Sequence, residues 1–146
     1  MTAEEARLLL IAQHERLRQQ INHCTRVATL YRAALATSAD LGHALDGLRE
    51  EFAVHNETET RVIQRLLHGP AAWGSLMIDR MFEEHVAEHS AFWELLQGTT
   101  AQMAPKIDEL AEELDAHMAA EERTFLAPVT LRDDVIRVRV HEESKD

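Results

Sequence analysis

A single cysteine, Cys24, leaves this chain unable to close an internal disulfide, so nothing in it asks for an oxidising compartment. Glycine and proline are scarce, at five and three in 146 residues, and aromatics make up only 5%. That is little turn chemistry for a many-stranded sheet, and long helices with short connections suit it better. No stretch approaches the ~20 consecutive apolar residues that a bilayer demands. The apolar run Leu8 to Ala12 is too short for a signal-peptide core and has no basic flank. Basic charge is also lacking. Lys and Arg total 15 against 26 Asp and Glu, for a net charge of −11. That balance argues against nucleic-acid phosphates or an anionic membrane surface as partners. A cytoplasmic location is the expectation.

What the sequence has in plenty is helical periodicity. Four segments keep the alternation of four- and three-residue steps that marks a bundle seam. The first runs Leu10, His14, Leu17, Ile21, Cys24, Ala28, Tyr31, Leu35. The second runs Leu41, Leu45, Leu48, Phe52, His55, Glu59, Val62, Leu66. The third is Ile78, Phe82, His85, His89, Phe92, Leu96, and the fourth Met103, Ile107, Leu110, Leu114, His117, Glu121. Punctuation agrees with the seams. Thr2 and Glu5 have capping-box spacing, Thr37 to Asp40 interrupts the pattern before the second helix, and Gly69-Pro70 ends it. Gly98-Thr99-Thr100 separates the third helix from the fourth, whose start Pro105 blurs. Short connections make neighbours antiparallel, so the expected fold is an all-α, up-down-up-down antiparallel four-helix bundle over residues 1–128. Residues 129–146 read as a loosely ordered tail. Within it, Val135 to Val140 alternates apolar and basic residues, a pattern suited to pairing or docking.

Seven polar residues occupy seam positions where leucine belongs: His14, His55, Glu59, His85, His89, His117 and Glu121. Each unpaired buried polar side chain costs on the order of 1–3 kcal/mol. Seven would rival the ~5–15 kcal/mol stability of an ordinary domain, so they satisfy one another or hold something. Counting ~1.5 Å per residue up and down the helices brings the four sets near one level. A buried metal centre accounts for all of them together. Imidazole with carboxylate suits iron, manganese, copper or zinc. Seven donors are too many for one ion, whereas two ions bridged by two carboxylates use them. Neither Glu-x-x-His, the ferritin-like signature, nor His-Glu-x-x-His, that of zinc proteases, occurs in the chain.

The motifs His55-x-x-x-Glu59, His85-x-x-x-His89 and His117-x-x-x-Glu121, after an isolated His14 in AQHERLRQQI, resemble the hemerythrin-like family. The stretch HMAAEERTFLAP is similar to the second motif of its HHE cation-binding branch. The resemblance spans about residues 8 to 128 and implies a non-haem di-iron centre, two iron ions with an oxo or hydroxo bridge. By the same resemblance, His85, His89 and His117 serve one iron and His14 and His55 the other. Glu59 and the acid after His117 are the bridges. In oxygen-carrying hemerythrins that acid stands five residues after the histidine, which here is Glu122. The seam favours Glu121, because one further residue turns a side chain by about 100°. Leu114, one turn before His117, matches a leucine that relatives place over the open iron position, and Phe52 is its counterpart on the second helix.

The implied function is binding of oxygen or a related small molecule, for carriage, storage or sensing of O2 or NO. The alternative is a di-iron redox enzyme acting on peroxide or nitric oxide, and a homodimer or a docking role for the tail also stays open. The remaining singular residues read more plainly. Cys24 lies ~15 Å along the first helix from His14, too far to share its site, and reads as a small buried hydrophobe. Tyr31, Trp73 and Trp93 read as packing residues. His23, His43, His68 and His141 lie off the seams, and Glu84 and Glu88 read as solvated.

Overall fold

The computed structural model describes residues 2–62, 75–124 and 126, with backbone alone at residues 3 and 75–82. Every element among them is helical: α1 (Ala3–Arg32), α2 (Ser38–Val62), α3 (Ser75–Leu96), the single turn α4 (Thr100–Met103) and α5 (Ile107–Arg123). The Gly69-Pro70 stop, the seam residue Leu66, Trp73, His68, His141 and the segment 129–146 lie outside the described residues. No described helix is long and apolar enough to cross a membrane.

The expected caps form. The Glu5 N–H donates to Thr2 Oγ1 at 3.0 Å and the Thr2 N–H donates to Glu5 Oε2 at 2.8 Å, a reciprocal box that opens α1. Thr37 and Asp40 exchange the same pair of bonds at the start of α2, at 3.1 and 2.8 Å. The far end of α1 departs from expectation. The seam extends to Leu35, but the helix ends at Arg32 and Leu35 is 74% exposed. Ala34 takes the left-handed conformation with φ 60°. The Leu35 N–H returns to Leu30 O at 2.8 Å and the Ala34 N–H to Tyr31 O at 3.0 Å. These two bonds make a Schellman terminus with alanine where glycine is usual. Pro105 likewise divides the fourth segment into α4 and α5, since it has no N–H to continue the ladder.

Side-chain contacts tie the helices together along their length. From α1 to α2, Gln13 meets Thr58 and Cys24 meets Ala44. From α1 to α5, Arg32 meets Asp108 and Arg18 meets Asp115. The guanidinium of Arg49 on α2 donates to Leu96 O and, at 2.8 Å, to Gly98 O, capping the end of α3. The seams supply the core, with Leu17, Ile21, Leu45, Leu48, Leu110 and Leu114 all buried in one apolar cluster. That cluster occupies the part of the molecule where α1 meets α2 and α5 around Cys24. The polar seam residues form a separate layer beyond Leu17 and Phe52.

Candidate metal centre

Four helices each contribute to the polar layer at helical spacing: His14 from α1, His55 and Glu59 from α2, His85 and His89 from α3, His117 and Glu121 from α5. A step of four keeps each pair on one helix face. The seven converge in two overlapping sets whose donor atoms lie within 4.8 Å of one another. One is His14, His55, Glu59 and Glu121, and the other His85, His89, His117 and Glu121. Six of the seven are buried, and the side chain of His117 is only 11% exposed.

The orientation of these groups is consistent throughout. All five imidazoles turn Nε2 toward the two carboxylates. Glu59 splits its oxygens: Oε2 faces His14 at 3.9 Å and touches His55, while Oε1 touches His85 and faces His89 at 3.7 Å. Glu121 does the same, with Oε2 facing His14 at 3.7 Å and Oε1 facing His89 at 3.5 Å and touching His117. His89 Nε2 and His117 Nε2 are 3.2 Å apart.

Among the described residues, both oxygens of Glu59, both of Glu121, and Nε2 of His14 and His55 are buried without a hydrogen-bond partner. Burial without a partner is costly for such atoms. Imidazole nitrogens and carboxylate oxygens gathered within 4.8 Å of one another, most of them without a hydrogen bond, are placed as ligands are around cations. The set of imidazoles and carboxylates suits a first-row transition ion.

Behind three of the histidines stand groups that carry other roles or none in the sequence reading: Glu122 the alternative bridge, Glu88 a solvated acid, and Gln13 unremarked. His14 Nδ1 donates to Glu122 Oε2 at 3.3 Å, and Arg18 grips both oxygens of Glu122. His55 Nδ1 lies 3.0 Å from Gln13 Oε1. His117 Nδ1 donates to Glu88 Oε2 at 2.9 Å, so Glu88 is a partner of the centre as well as a surface acid. Glu122 faces the outer nitrogen of His14, whereas Glu121 faces the inner layer. The one-residue step that separates them on the helix explains the division.

The charges on these groups follow from burial and neighbours. Burial pushes the Glu59 carboxyl up, but its contacts with Glu121, His14, His55 and His85 outweigh this and hold it well below the usual carboxylate range. Burial opposes protonation of His14 and His117, yet carboxylate neighbours win and raise both. In His89 burial prevails and the imidazole is pushed down. Burial raises Glu122 less than Arg18 and His14 lower it. A cation held by these residues would take the place of those protons, and the same carboxylates that favour protonation would favour it.

The apolar surroundings are uneven. Phe52 is buried with its ring 5.8 Å from that of His89, and Trp93 stacks on it at 6.5 Å. Leu114 lies in the apolar core and lines a small void of about 10 Å³ with Cys24 and Leu110. A groove of about 470 Å³ between α2 and α3, lined by Asn56, Thr60, Val86, Ser90 and Trp93, reaches His89. Outside the centre, Cys24 donates to Ala44 O at 3.1 Å, and burial pushes its thiol up to about 11. His23, His43 and Glu84 are exposed.

Comparison with curated proteins and with solved structures returns no match. The Hemerythrin HHE cation binding domain family matches residues 8–129, a span that contains all seven converging residues and all the groups that back them. By its sequence and by a helical fold with His/Glu clusters able to hold metal ions, the chain belongs to the hemerythrin HHE cation-binding family.

Proposed function

We propose that this protein is a non-haem di-iron protein that binds oxygen or a related small molecule, for carriage, storage or sensing of O2 or NO. In this reading α1, α2, α3 and α5 form an up-down-up-down antiparallel four-helix bundle. The domain ends near residue 128, residues 129–146 are an appended tail, and the protein works in the cytoplasm. Antiparallel pairing of neighbouring helices supports the bundle: Gln13 toward the start of α1 meets Thr58 near the end of α2, and Arg32 at the end of α1 meets Asp108 at the start of α5.

One observation carries the two-ion assignment. Each of two buried carboxylates divides its oxygens between two histidine groups, as bridging ligands do. His14 and His55 would hold one iron, His85, His89 and His117 the other, and Glu59 and Glu121 both. Iron so held supplies reversible one-electron chemistry and affinity for diatomic ligands. The chain's own part is to keep the layer dry and the donors fixed. With only two histidines, the His14–His55 position has fewer protein donors, and it sits where both rings are almost fully buried. Phe52 and Leu114 are the proposed apolar wall, excluding water that would compete with a small neutral ligand.

The enzyme reading draws on a different observation. Glu88, 2.9 Å from His117 Nδ1 and with a 57% exposed side chain, is a carboxylate at the edge of the layer that can exchange protons with solvent. Iron content, the absorbance spectrum of the oxidised protein and rapid mixing of the reduced protein with oxygen test both readings. Two irons per chain and an oxygenated species that persists support the binder. One ion per chain removes the di-iron assignment. Catalytic consumption of peroxide or nitric oxide, with no persistent adduct, moves the assignment to the enzyme.

A further inference from the structure

Gln13 immediately precedes His14, yet its side chain serves a different histidine. It is only 4% exposed, and both ends of its amide are engaged. Nε2 donates to Thr58 Oγ1 at 3.0 Å, and Oε1 lies 3.0 Å from His55 Nδ1. The Thr58 hydroxyl in turn donates its one hydrogen to Val54 O at 2.9 Å.

This chain of contacts has a fixed polarity. Val54 O accepts, so the Thr58 hydrogen is spent there, and the hydroxyl faces Gln13 as an acceptor. The amide must therefore turn its NH2 toward Thr58 and its carbonyl toward His55. A carbonyl only accepts, so His55 Nδ1 must carry the proton. In the neutral ring, Nε2 is then the lone-pair nitrogen, and Nε2 is the atom turned toward Glu59. A competing arrangement exists on paper. With the amide flipped, the proton would move to Nε2 and be donated to Glu59, and that ring could not bind a cation without losing it. Flipping requires the Thr58 hydroxyl to abandon Val54 O.

We propose that Gln13, anchored by Thr58, is a positioning residue. It holds His55 as the Nδ1–H tautomer and so keeps Nε2 ready as a metal donor. The inference rests on the metal-binding reading above for its purpose, but not for the tautomer itself. It also distinguishes His55 from His14 and His117, whose outer nitrogens face carboxylates. A neutral amide fixes the ring without adding negative charge behind the ligand, so the backing at His55 sets orientation rather than ligand basicity.

Two measurements on the full-length chain test it. The first is nitrogen-15 NMR of the metal-free protein at a pH where the imidazoles are neutral, which reports which nitrogen of His55 carries the proton. The expected result is Nδ1–H in the unsubstituted chain and in Gln13→Glu, where a carboxylate still accepts from Nδ1. A mixed population is expected in Gln13→Leu. The second is anaerobic titration with ferrous iron against a competing chelator. Gln13→Leu should weaken the more labile iron by about ten- to a hundredfold. Gln13→Glu should restore most of that, and Thr58→Val, which frees the amide to flip without altering His55, should lose a smaller factor. Loss of helical content or of a cooperative melt identifies any variant that has failed to fold, and Thr58→Val, at a partly exposed site, is the milder check.

His55 protonated on Nε2 in the unsubstituted metal-free chain would overturn the proposal. So would iron binding by Gln13→Leu equal to that of the parent, or Gln13→Glu as damaging as Gln13→Leu, which would make Gln13 a packing residue. If the unsubstituted chain takes up no iron, the metal reading fails, while the NMR result still decides the tautomer.

Discussion

The His14–His55 side of the centre and the His85–His89–His117 side differ in what stands behind the histidines. On the first side both rings are almost fully buried, and their outer nitrogens meet Gln13 and the Glu122 carboxylate clamped by Arg18. On the second, His117 leans on a largely exposed Glu88, and the groove between α2 and α3 reaches His89. The side with fewer histidines is the one whose supporting groups are the more buried. In the proposed di-iron reading, the side with one histidine fewer would be the one left able to take a small ligand, and that would depend on keeping water away from it. Three histidines can hold an ion without such support, because the donors themselves fix it.

The sharpest way to break this comparison is to remove what the two sides share. Glu59 faces histidines of both groups, so Glu59→Ala should release both ions, and Glu121→Ala should do nearly the same. Metal analysis after desalting would read close to zero iron per chain in each. If one iron remains bound at full affinity, the carboxylate serves a single ion and the two sides are independent sites.

A step smaller is the loss of one side. His85→Leu or His89→Leu should strip the three-histidine position and abolish the coupled spectrum of the oxidised pair. His23→Leu and His43→Leu, at exposed positions, should leave iron content at its parent value. Equal depletion by His43→Leu would mean that metal binds on the surface of the helices and not in the layer between them.

The inner layer was legible in the sequence because it interrupts an otherwise apolar pattern. A histidine or glutamate at a seam position has to face its neighbours on other helices, and the seam identifies it whatever the loops do. The helical class was legible for the same reason. The backing groups were not. Gln13, Glu88 and Glu122 all flank the seam, where a polar residue is unremarkable, and their partners are set by how far each helix is rotated and shifted against the next. Arg18 and Glu122 are 104 residues apart in the chain, and no local pattern announces the pair. The one available signal was adjacency: each of the three lies next to a seam ligand candidate or one helical turn from it. Leu35 failed in the opposite sense. Periodicity continued into it, but the left-handed turn at Ala34 had already ended the helix, without the glycine that usually marks such an end.

Backing groups give the next effect in size. Glu122→Gln removes the charge that faces His14 Nδ1 and releases Arg18, while leaving the inner donors untouched. Loss of such a partner costs about ten- to a hundredfold in metal affinity. The loss should fall on the His14–His55 position, so iron should leave in two distinguishable steps on titration with a chelator. Glu121→Ala and Glu122→Gln thus separate cleanly. The first removes the coupled diferric spectrum, and the second keeps it at saturating iron. A reversal would place Glu122 in the bridge, at the spacing of the oxygen-carrying relatives.

Glu88→Gln should have the smallest effect of the four, and it is the one that most directly weighs the two sides. Glu88 makes the same kind of contact as Glu122, a carboxylate accepting from the outer nitrogen of a histidine, and the distance is shorter, 2.9 against 3.3 Å. Distance alone would rank it the more important. Solvent argues otherwise. The Glu88 side chain is 57% exposed, against 25% for Glu122, and among the described residues no cation holds it as Arg18 holds Glu122. Exposed charge pairs contribute roughly 0–1 kcal/mol, because water screens them and replaces them when they break. A glutamine at position 88 still offers an acceptor to Nδ1, so the imidazole keeps its tautomer. The expected loss in iron affinity is no more than about fivefold, which is the upper end of that range. It should shrink further at high salt, where the Glu122→Gln effect should largely persist. Chelator competition on both variants at low and high ionic strength makes the comparison. If Glu88→Gln costs as much as Glu122→Gln and resists salt, the three-histidine side depends on its backing as strongly as the buried side does. The contrast between them would then lie in histidine count alone.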